Sequence, residues 1–383
     1  MKKFFASAAM LCTLGLTTVA LNSCDNGDDP VTPVDPSTVK VDPNNFAINL
    51  KSGDVLELNA GTTYYMKGAV IVGDGAKLTI PAGTKIVCSG GTNTYLAVAQ
   101  GGQIFANGTS TSPIVFESPT KQKGDWGGIV ICGRASINTG ATGRSEVADL
   151  PYGGTNDADN SGVLKYVVIN NSGARFSDTK EYNGISFFGV GNGTTVEGIA
   201  AINGADDGIE FFGGTVNVKN MVSYNNDDDA FDWTDGWRGT AENVYGKRIA
   251  ANVGNMGIEA DNQKSNNDAN PRSNPTLKNI TLIGYTTTDN EGDGTNVFRV
   301  GTYATIDNMV VSGWKTGLTF KDASTIAYFN QAGKIKNVKF DNVGAKVAGI
   351  DAALVAGMEN PNATGAGDGV NLPSWAKGWS GIN

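Results

Sequence analysis

The sequence has no histidine among its 383 residues. Without imidazole there is no Ser-His-Asp or Cys-His nucleophile, no histidine zinc ligand and no histidine-ligated haem. Any chemistry must rest on carboxylates, Arg, Lys, Tyr or a hard metal ion. Cysteine is nearly as scarce, with 4 residues, of which only Cys88 and Cys132 follow Cys24. Two cysteines make no disulfide framework, so we expect buried free thiols, with a single bridge as the alternative. Proline is limited to 12 residues against 52 glycines, and glycine at about twice its average share suits short strands and tight turns. Positive charge is in deficit: the formal net charge is −9, which argues against nucleic acid and anionic lipid surfaces as partners. Long apolar runs are missing after residue 21, where nothing approaches the ~18 residues a membrane span needs.

The N-terminal 23 residues read as a lipoprotein signal peptide. Lys2 and Lys3 form a short positive region, Phe4 to Leu21 is apolar and rich in small residues, and Leu21-Asn22-Ser23-Cys24 follows. A charged start, a short apolar stretch and small residues before the cut describe an export signal. Ending on Leu-x-Ser-Cys points to lipid attachment at Cys24. Residues 24–45 then carry Asp25, Asp28, Asp29, Asp35 and Asp42 among four prolines, with almost nothing to bury. We expect an extended tether. An Asp-rich stretch just after the cysteine resembles the export signal of surface-exposed Bacteroidota lipoproteins. The alternative is a plain solvated linker.

The remaining stretch, 46–383, is governed by repeats. Octets begin at Leu164, Val196, Val218, Ala241, Leu277, Ile306 and Ile335, mostly reading apolar, charged, Asn, apolar. A second short strand recurs between them, as in Asn183-Gly-Ile-Ser-Phe-Phe188, Asp207-Gly-Ile-Glu-Phe-Phe212 and Asp229-Ala-Phe-Asp-Trp233. Starts at 196, 218 and 241 are 22 and 23 residues apart, and those at 277, 306 and 335 are 29 apart; a period in the twenties, with alternating apolar strands and Asn or Gly corners, is the signature of a solenoid. Each unit would be one coil of a parallel β-helix, an all-β fold in a single domain. Earlier coils are expected at Leu78, Lys85, Leu96, Gln103, Pro113 and Trp126. Asn220, Asn243, Asn279, Asn308 and Asn337 would stack as an inward corner ladder of structural role. Residues 139–160 and 261–275 are polar inserts, expected to project from the helix. Ala345 to Met358 is the best helical stretch, part of a C-terminal cap over about 345–383 that would cover the last coil's bare edge.

Chemistry would lie between 204 and 261. Asp207 and Asp229, like Glu210 and Asp232, are 22 residues apart, so each pair would sit on adjacent coils at the ~4.8 Å strand spacing. Glu259 would continue the second row. Carboxylates that close repel, and are protonated, solvated or bound to a cation. Calcium suits Asp207, Glu210, Asp229 and Asp232, a cluster of hard oxygens without nitrogen or sulfur ligands. The alternative is a solvated acidic corner. Phe211 and Phe231 alternate with the acids and read as core, while Trp233 and Trp237 are the candidates for stacking on a sugar.

Carboxylate pairs also suit glycoside hydrolysis. Gly204-Ala-Asp-Asp207 resembles part of the polygalacturonase-type acid trio, but that family's histidine and Arg-x-Lys element are missing. Pectate-lyase-like enzymes use calcium carboxylates and an arginine base, for which Arg238, Arg248 and Arg299 are candidates. An enzyme would work through Asp206, Asp207, Asp228, Asp229 and Arg238. Longer motifs carry a closer resemblance: Gly124-Asp-Trp-Gly-Gly-Ile-Val-Ile-Cys-Gly-Arg-Ala-Ser-Ile-Asn138, Asn160-Ser-Gly-Val-Leu-Lys-Tyr166, Gly189-Val-Gly-Asn-Gly-Thr194, Asp206-Asp-Gly-Ile-Glu-Phe-Phe-Gly-Gly-Thr-Val216, Asp227-Asp-Asp-Ala-Phe-Asp-Trp-Thr-Asp-Gly236 and Trp375-Ala-Lys-Gly-Trp379. With these the chain resembles a family of Bacteroidota outer-membrane lipoproteins, some labelled multidrug transporters, which nothing in this sequence supports. The resemblance implies a right-handed β-helix at the outer membrane and assigns no catalytic residue. The expected function is binding of a glycan or other extracellular polymer, with a TonB-dependent importer as the expected partner. A calcium-dependent polysaccharide lyase or hydrolase at the Asp206–Asp235 corner, or a structural or adhesion protein, are the alternatives.

Overall fold

The structure, a computed structural model, describes residues 37–382 apart from 178–179, 252 and 291–293. The signal peptide, Cys24 and most of the acidic tether lie outside the described residues. From Ser37 onward the chain winds as a right-handed parallel β-helix. Eleven strands stack in parallel on one side, from Ile48–Leu50 through Ile129–Cys132, Ile185–Phe188, Ile209–Phe212, Phe231–Thr234 and Ile258–Ala260 to Ala345–Ala348. We call this the short stack. Opposite it runs a 14-stranded sheet, the long stack, whose later members include Gly162–Asn170, Thr195–Ile202, Asn217–Tyr224, Thr240–Lys247, Thr276–Ile283, Thr305–Ser312 and Ile335–Asp341.

Register follows the sequence repeat. Leu164, Val196, Val218, Ala241, Leu277, Ile306 and Ile335 lie directly beneath one another, and these apolar positions join one core running from Phe46 to Met358. In the early coils the long stack is fed by two strands per coil. Gln103–Asn107 and Ile114–Glu117, for example, pair with the first and second halves of Gly162–Asn170. In the later coils one bent strand replaces the pair, and the bend is a single residue in the left-handed region: Asn220, Asn243, Asn279, Asn308 and Asn337 have φ of 56 to 60°. Asparagine tolerates this conformation because its short side chain finds local hydrogen bonds. The ladder is real, with Asn243 donating to Asn220 (2.9 Å), Asn279 to Asn243 (2.9 Å) and Asn308 to Asn279 (2.8 Å). It is not inward, however. The side chains are half-buried on the rim, Asn337 is exposed and donates instead to Asp307, and their role is to bend the strand.

Other expectations also shift. Ser37–Val39 already pairs with Asp54–Glu57, so the sheet takes in residues ahead of 46. The small helical cap is confined to Ala352–Leu354 and Val355–Met358, because Ala345–Ala348 pairs with Thr316–Phe320 as a last strand. A helix not foreseen, Ala323–Phe329, is N-capped by Asp322 and packs Phe329 against Phe298 and Phe320 at the end of the core. Cys88 and Cys132 are free and buried, and burial raises the Cys132 thiol to about 12.

The inserts do not simply project. Val147 and Tyr152, from 139–160, pack with Ala174 and Tyr182 on the outward residues Val130, Cys132, Phe188 and Phe212 of the short stack. The 261–275 insert is tied down by Asn262, fully buried and bonded to Asn138 (2.8 Å). Finally, the chain after Glu359 runs back over the outer face of the long stack. Asn360 bonds Asn337, the Ala366 amide donates to Thr281 (2.9 Å), and Trp379 reaches Tyr166 edge-on at 5.4 Å. No helix among the described residues is long and apolar enough to cross a membrane.

Candidate functional site

Side chains alternate across a strand, and in the short stack this splits acids from rings. Ile209, Phe211, Phe231, Trp233, Ile258 and Ala260 face the core. Glu210, Asp232 and Glu259 face outward, one per coil in direct register, continuing a row that begins Ile71, Ala97, Val130, Ser186. Two residues ahead of these strands, Asp207 and Asp229 form a second pair, and the Asp229 amide donates to Asp207 Oδ1 (2.8 Å). The corner between Asp207 and Glu210 must be glycine: a Cβ on Gly208 would lie 2.2 Å from Ser223 Oγ.

The structure therefore brings together Asp206, Asp207, Glu210, Asp228, Asp229, Asp232 and Glu259. Carboxylate oxygens fall within 4.8 Å of one another in three groups: Asp206, Asp207 and Asp228; Asp207, Glu210 and Asp232; Asp229, Asp232 and Glu259. Shared members make the groups one strip along the helix. Asp207, Glu210 and Asp229 are buried. Glu210 accepts a bond from Asn183, and Asp229 accepts one from the Met256 amide. Asp232 Oδ1 is buried with no hydrogen-bond partner among the described residues.

Burial, and then the neighbouring carboxylates, push Asp207, Glu210 and Asp232 well above the ordinary carboxylate range. Asp229 is raised in the same way by burial and by Asp228, with a smaller opposing pull from Arg299. Burial followed by Glu181, Asp228 and Glu146 lifts Asp206 to about 8. Such a strip holds protons or a cation near neutral pH. Its donors are all hard oxygens, which fit calcium. The unpaired Asp232 oxygen is where a cation would find a ligand without displacing a protein hydrogen bond.

The other sequence candidates fall elsewhere. Trp233 and Trp237 are not sugar platforms. Both are 1% exposed; Trp237 stacks on Phe211 at 4.0 Å, and the indole N–H groups donate to Thr302 (3.0 Å) and the Val216 carbonyl (3.2 Å). Trp233 shares the strand parity of Phe231, so the alternation that places Phe231 in the core places Trp233 there too. Arg238 is held by Ser136 and Asp157 (2.6 Å), and Arg248 by Asp289 (2.8 Å) and the Val253 carbonyl. Arg299 is the arginine beside the strip, paired with Glu259 and with Asp261 (2.9 Å).

Three acids not singled out from the sequence join from the inserts and loops. Burial, opposed by Lys180, brings Glu146 to about 7. Burial, opposed by Lys264, does the same to Asp261. Burial also raises Glu181, which pairs with Arg175 (2.6 Å). They stand outside the repeat, so no period marks them.

A family model described as a pectate-lyase-like β-helix domain matches residues 49–380. No curated protein and no solved structure matches the chain. With parallel stacks in register over that same span, the chain belongs to the pectate-lyase-like β-helix family.

Proposed function

We propose that this protein is a lipid-anchored outer-membrane lipoprotein, displayed at the cell surface, that binds a glycan or other extracellular polymer without cleaving it, with calcium held by its acidic strip. The family's polysaccharide-related fold supports a glycan as the ligand. The signal sequence ending at Cys24 and the Asp-rich tether support the anchor and the outward display, and a TonB-dependent importer is the partner a capture protein would serve. The observation that carries the cation is the buried, unpartnered carboxylate oxygen of Asp232 between Glu210, Asp229 and Glu259. Asp207, Glu210, Asp229 and Asp232 would hold the ion, which would supply charge neutralisation and rigidity.

Burial also weighs against direct cleavage at these acids. Glycoside hydrolysis needs two carboxyl groups about 5–9.5 Å apart, flanking a sugar. Here the oxygens within each of the three groups lie inside 4.8 Å of one another, and Asp207, Glu210 and Asp229 are covered. One observation favours the enzyme reading: Asp206 is only partly buried and raised to about 8, which leaves it protonated and able to donate at neutral pH.

Calcium titration by calorimetry tests the binding reading, with Asp207→Ala and Asp229→Ala expected to lose most of the heat. Unchanged binding in both variants sinks the cation. Incubation with plant and bacterial polysaccharides tests catalysis. New reducing ends, or absorbance from unsaturated uronides, would replace capture by cleavage.

A further inference from the structure

A cavity of about 470 Å3 opens on the outward face of the short stack, within the about 300–1,000 Å3 usual for small-molecule sites. Of the acids in and around the strip described above, Glu146 alone lines the cavity. One wall is Tyr95, at the head of strand Leu96–Val98. Tyr182 is buried behind it, the two rings stacked at 5.4 Å and 26°. Gly127 leaves the room for this pair, since a Cβ there would lie 3.0 Å from Tyr95 Cβ and 3.1 Å from the Tyr182 ring. Phe176 and Lys180, from the strands Arg175–Ser177 and Lys180–Glu181, also line it. Phe176 is 61% exposed, more than any other large apolar side chain among the described residues.

The floor is the turn at Ala148 and Asp149, which have φ of 61° and 49°. Two consecutive non-glycine residues in the left-handed region are strained, and such strain gathers at ligand sites. Ser145 bonds to Leu150 (2.8 and 2.9 Å) and the Arg144–Asp149 ion pair (2.6 Å) hold the turn in place.

We propose that this pocket seats a neutral pyranose unit of a polysaccharide, its C–H face on Tyr95, Phe176 also against it, and its hydroxyls on Glu146, Asn93 and Lys180. A backed aromatic ring beside a few convergent polar groups matches the two faces of a sugar, apolar above and hydroxylated at the edge. Neutrality follows from charge. Arg144 balances Asp149 and Glu146 faces Lys180, the one cation that lines the cavity, while Asp235, Glu181 and the acidic strip lie beyond, so a uronate carboxylate would meet a negative field. The inference rests on the glycan-binding reading, but moves the sugar away from the strip.

Calorimetric titration with cellohexaose, xylohexaose, mannohexaose and trigalacturonate, with EDTA and with calcium, tests it. At least one neutral hexasaccharide should bind in EDTA. Phe176→Ala, on an exposed side chain that leaves folding intact, and Tyr95→Ala should each weaken it at least tenfold. Binding within twofold of wild type in both variants, or binding of trigalacturonate alone, overturns the pocket while the glycan reading stands. If the wild-type protein binds none of the four, both fall.

Discussion

Replacing Asp232 by Asn removes one titratable group from the acidic strip and keeps its shape. In the native chain the buried Asp232 Oδ1 has no donor, and an oxygen of the same carboxylate lies within 4.8 Å of one from Glu210 and, in a second group, of ones from Asp229 and Glu259. A buried polar atom left unpaired costs about 1–3 kcal/mol. The asparagine amide would instead donate to a neighbouring carboxylate. In EDTA near pH 8 we therefore expect Asp232→Asn to be more stable than wild type by on the order of 1–3 kcal/mol, a few degrees in Tm.

Calcium at a hundred times its dissociation constant adds about 2.7 kcal/mol to wild type and should add far less to the variant. The pH dependence has a definite sign. Folded-state values are raised, so without a cation the folded chain holds more protons than the unfolded one. That stability is complete below about pH 4. It is lost as pH rises through about 7 at Glu146 and Asp261 and about 8 at Asp206. The variant's advantage should thus shrink toward about pH 5, where the strip is protonated in both proteins. Scanning calorimetry at the two pH values, with EDTA and with calcium, measures all of this. A variant less stable than wild type in EDTA near pH 8, or one that keeps the full calcium increment, would refute the reasoning.

Three further outcomes are expected. Trp237→Ala should destabilise the fold by roughly 3–5 kcal/mol in urea unfolding, since its ring is buried against Phe211; a loss under 1 kcal/mol would place the indole at the surface after all. Asn279→Ala should cost about 1–2 kcal/mol for the left-handed backbone at φ 59°, and Asn279→Gly should recover most of that, so equal losses would show that the amide ladder matters more than the bend. Cys24→Ala should move the protein from the membrane to the soluble fraction in folded form, and a variant that stays membrane-bound removes the lipid anchor.

The fold was legible because each coil repeats its apolar positions. Seven octets chosen by sequence pattern lie in one register line, and Asp207 and Glu210 stack on Asp229 and Asp232 as their spacing implied. Legibility ended where the period ends. Glu146, Glu181 and Phe176 come from single insertions between coils, and their place over the short stack depends on tertiary contacts. Ala345–Ala348 has helical composition, but the free edge of Thr316–Phe320 offers it a full set of backbone partners, which outweighs propensity. Trp233 shares the strand parity of Phe231, which marks it as core, whereas Trp237 lies beyond the strand Phe231–Thr234, where no parity applies.

A stack of coils that touch only their neighbours can shed units one at a time from an end. The returning C-terminal segment changes that behaviour. Asn360 is bonded at the last coil, Gly365 and Ala366 at the coils of Asn308 and Thr281, and Trp379 lies on Tyr166, a hundred and more residues earlier in the chain. Peeling the final coil must therefore also lift indoles from the middle of the array. Loss of the end and loss of the centre become a single cooperative event, so that fraying gives way to all-or-none melting, and a proteolytic cut anywhere after residue 360 should loosen coils far from the cut.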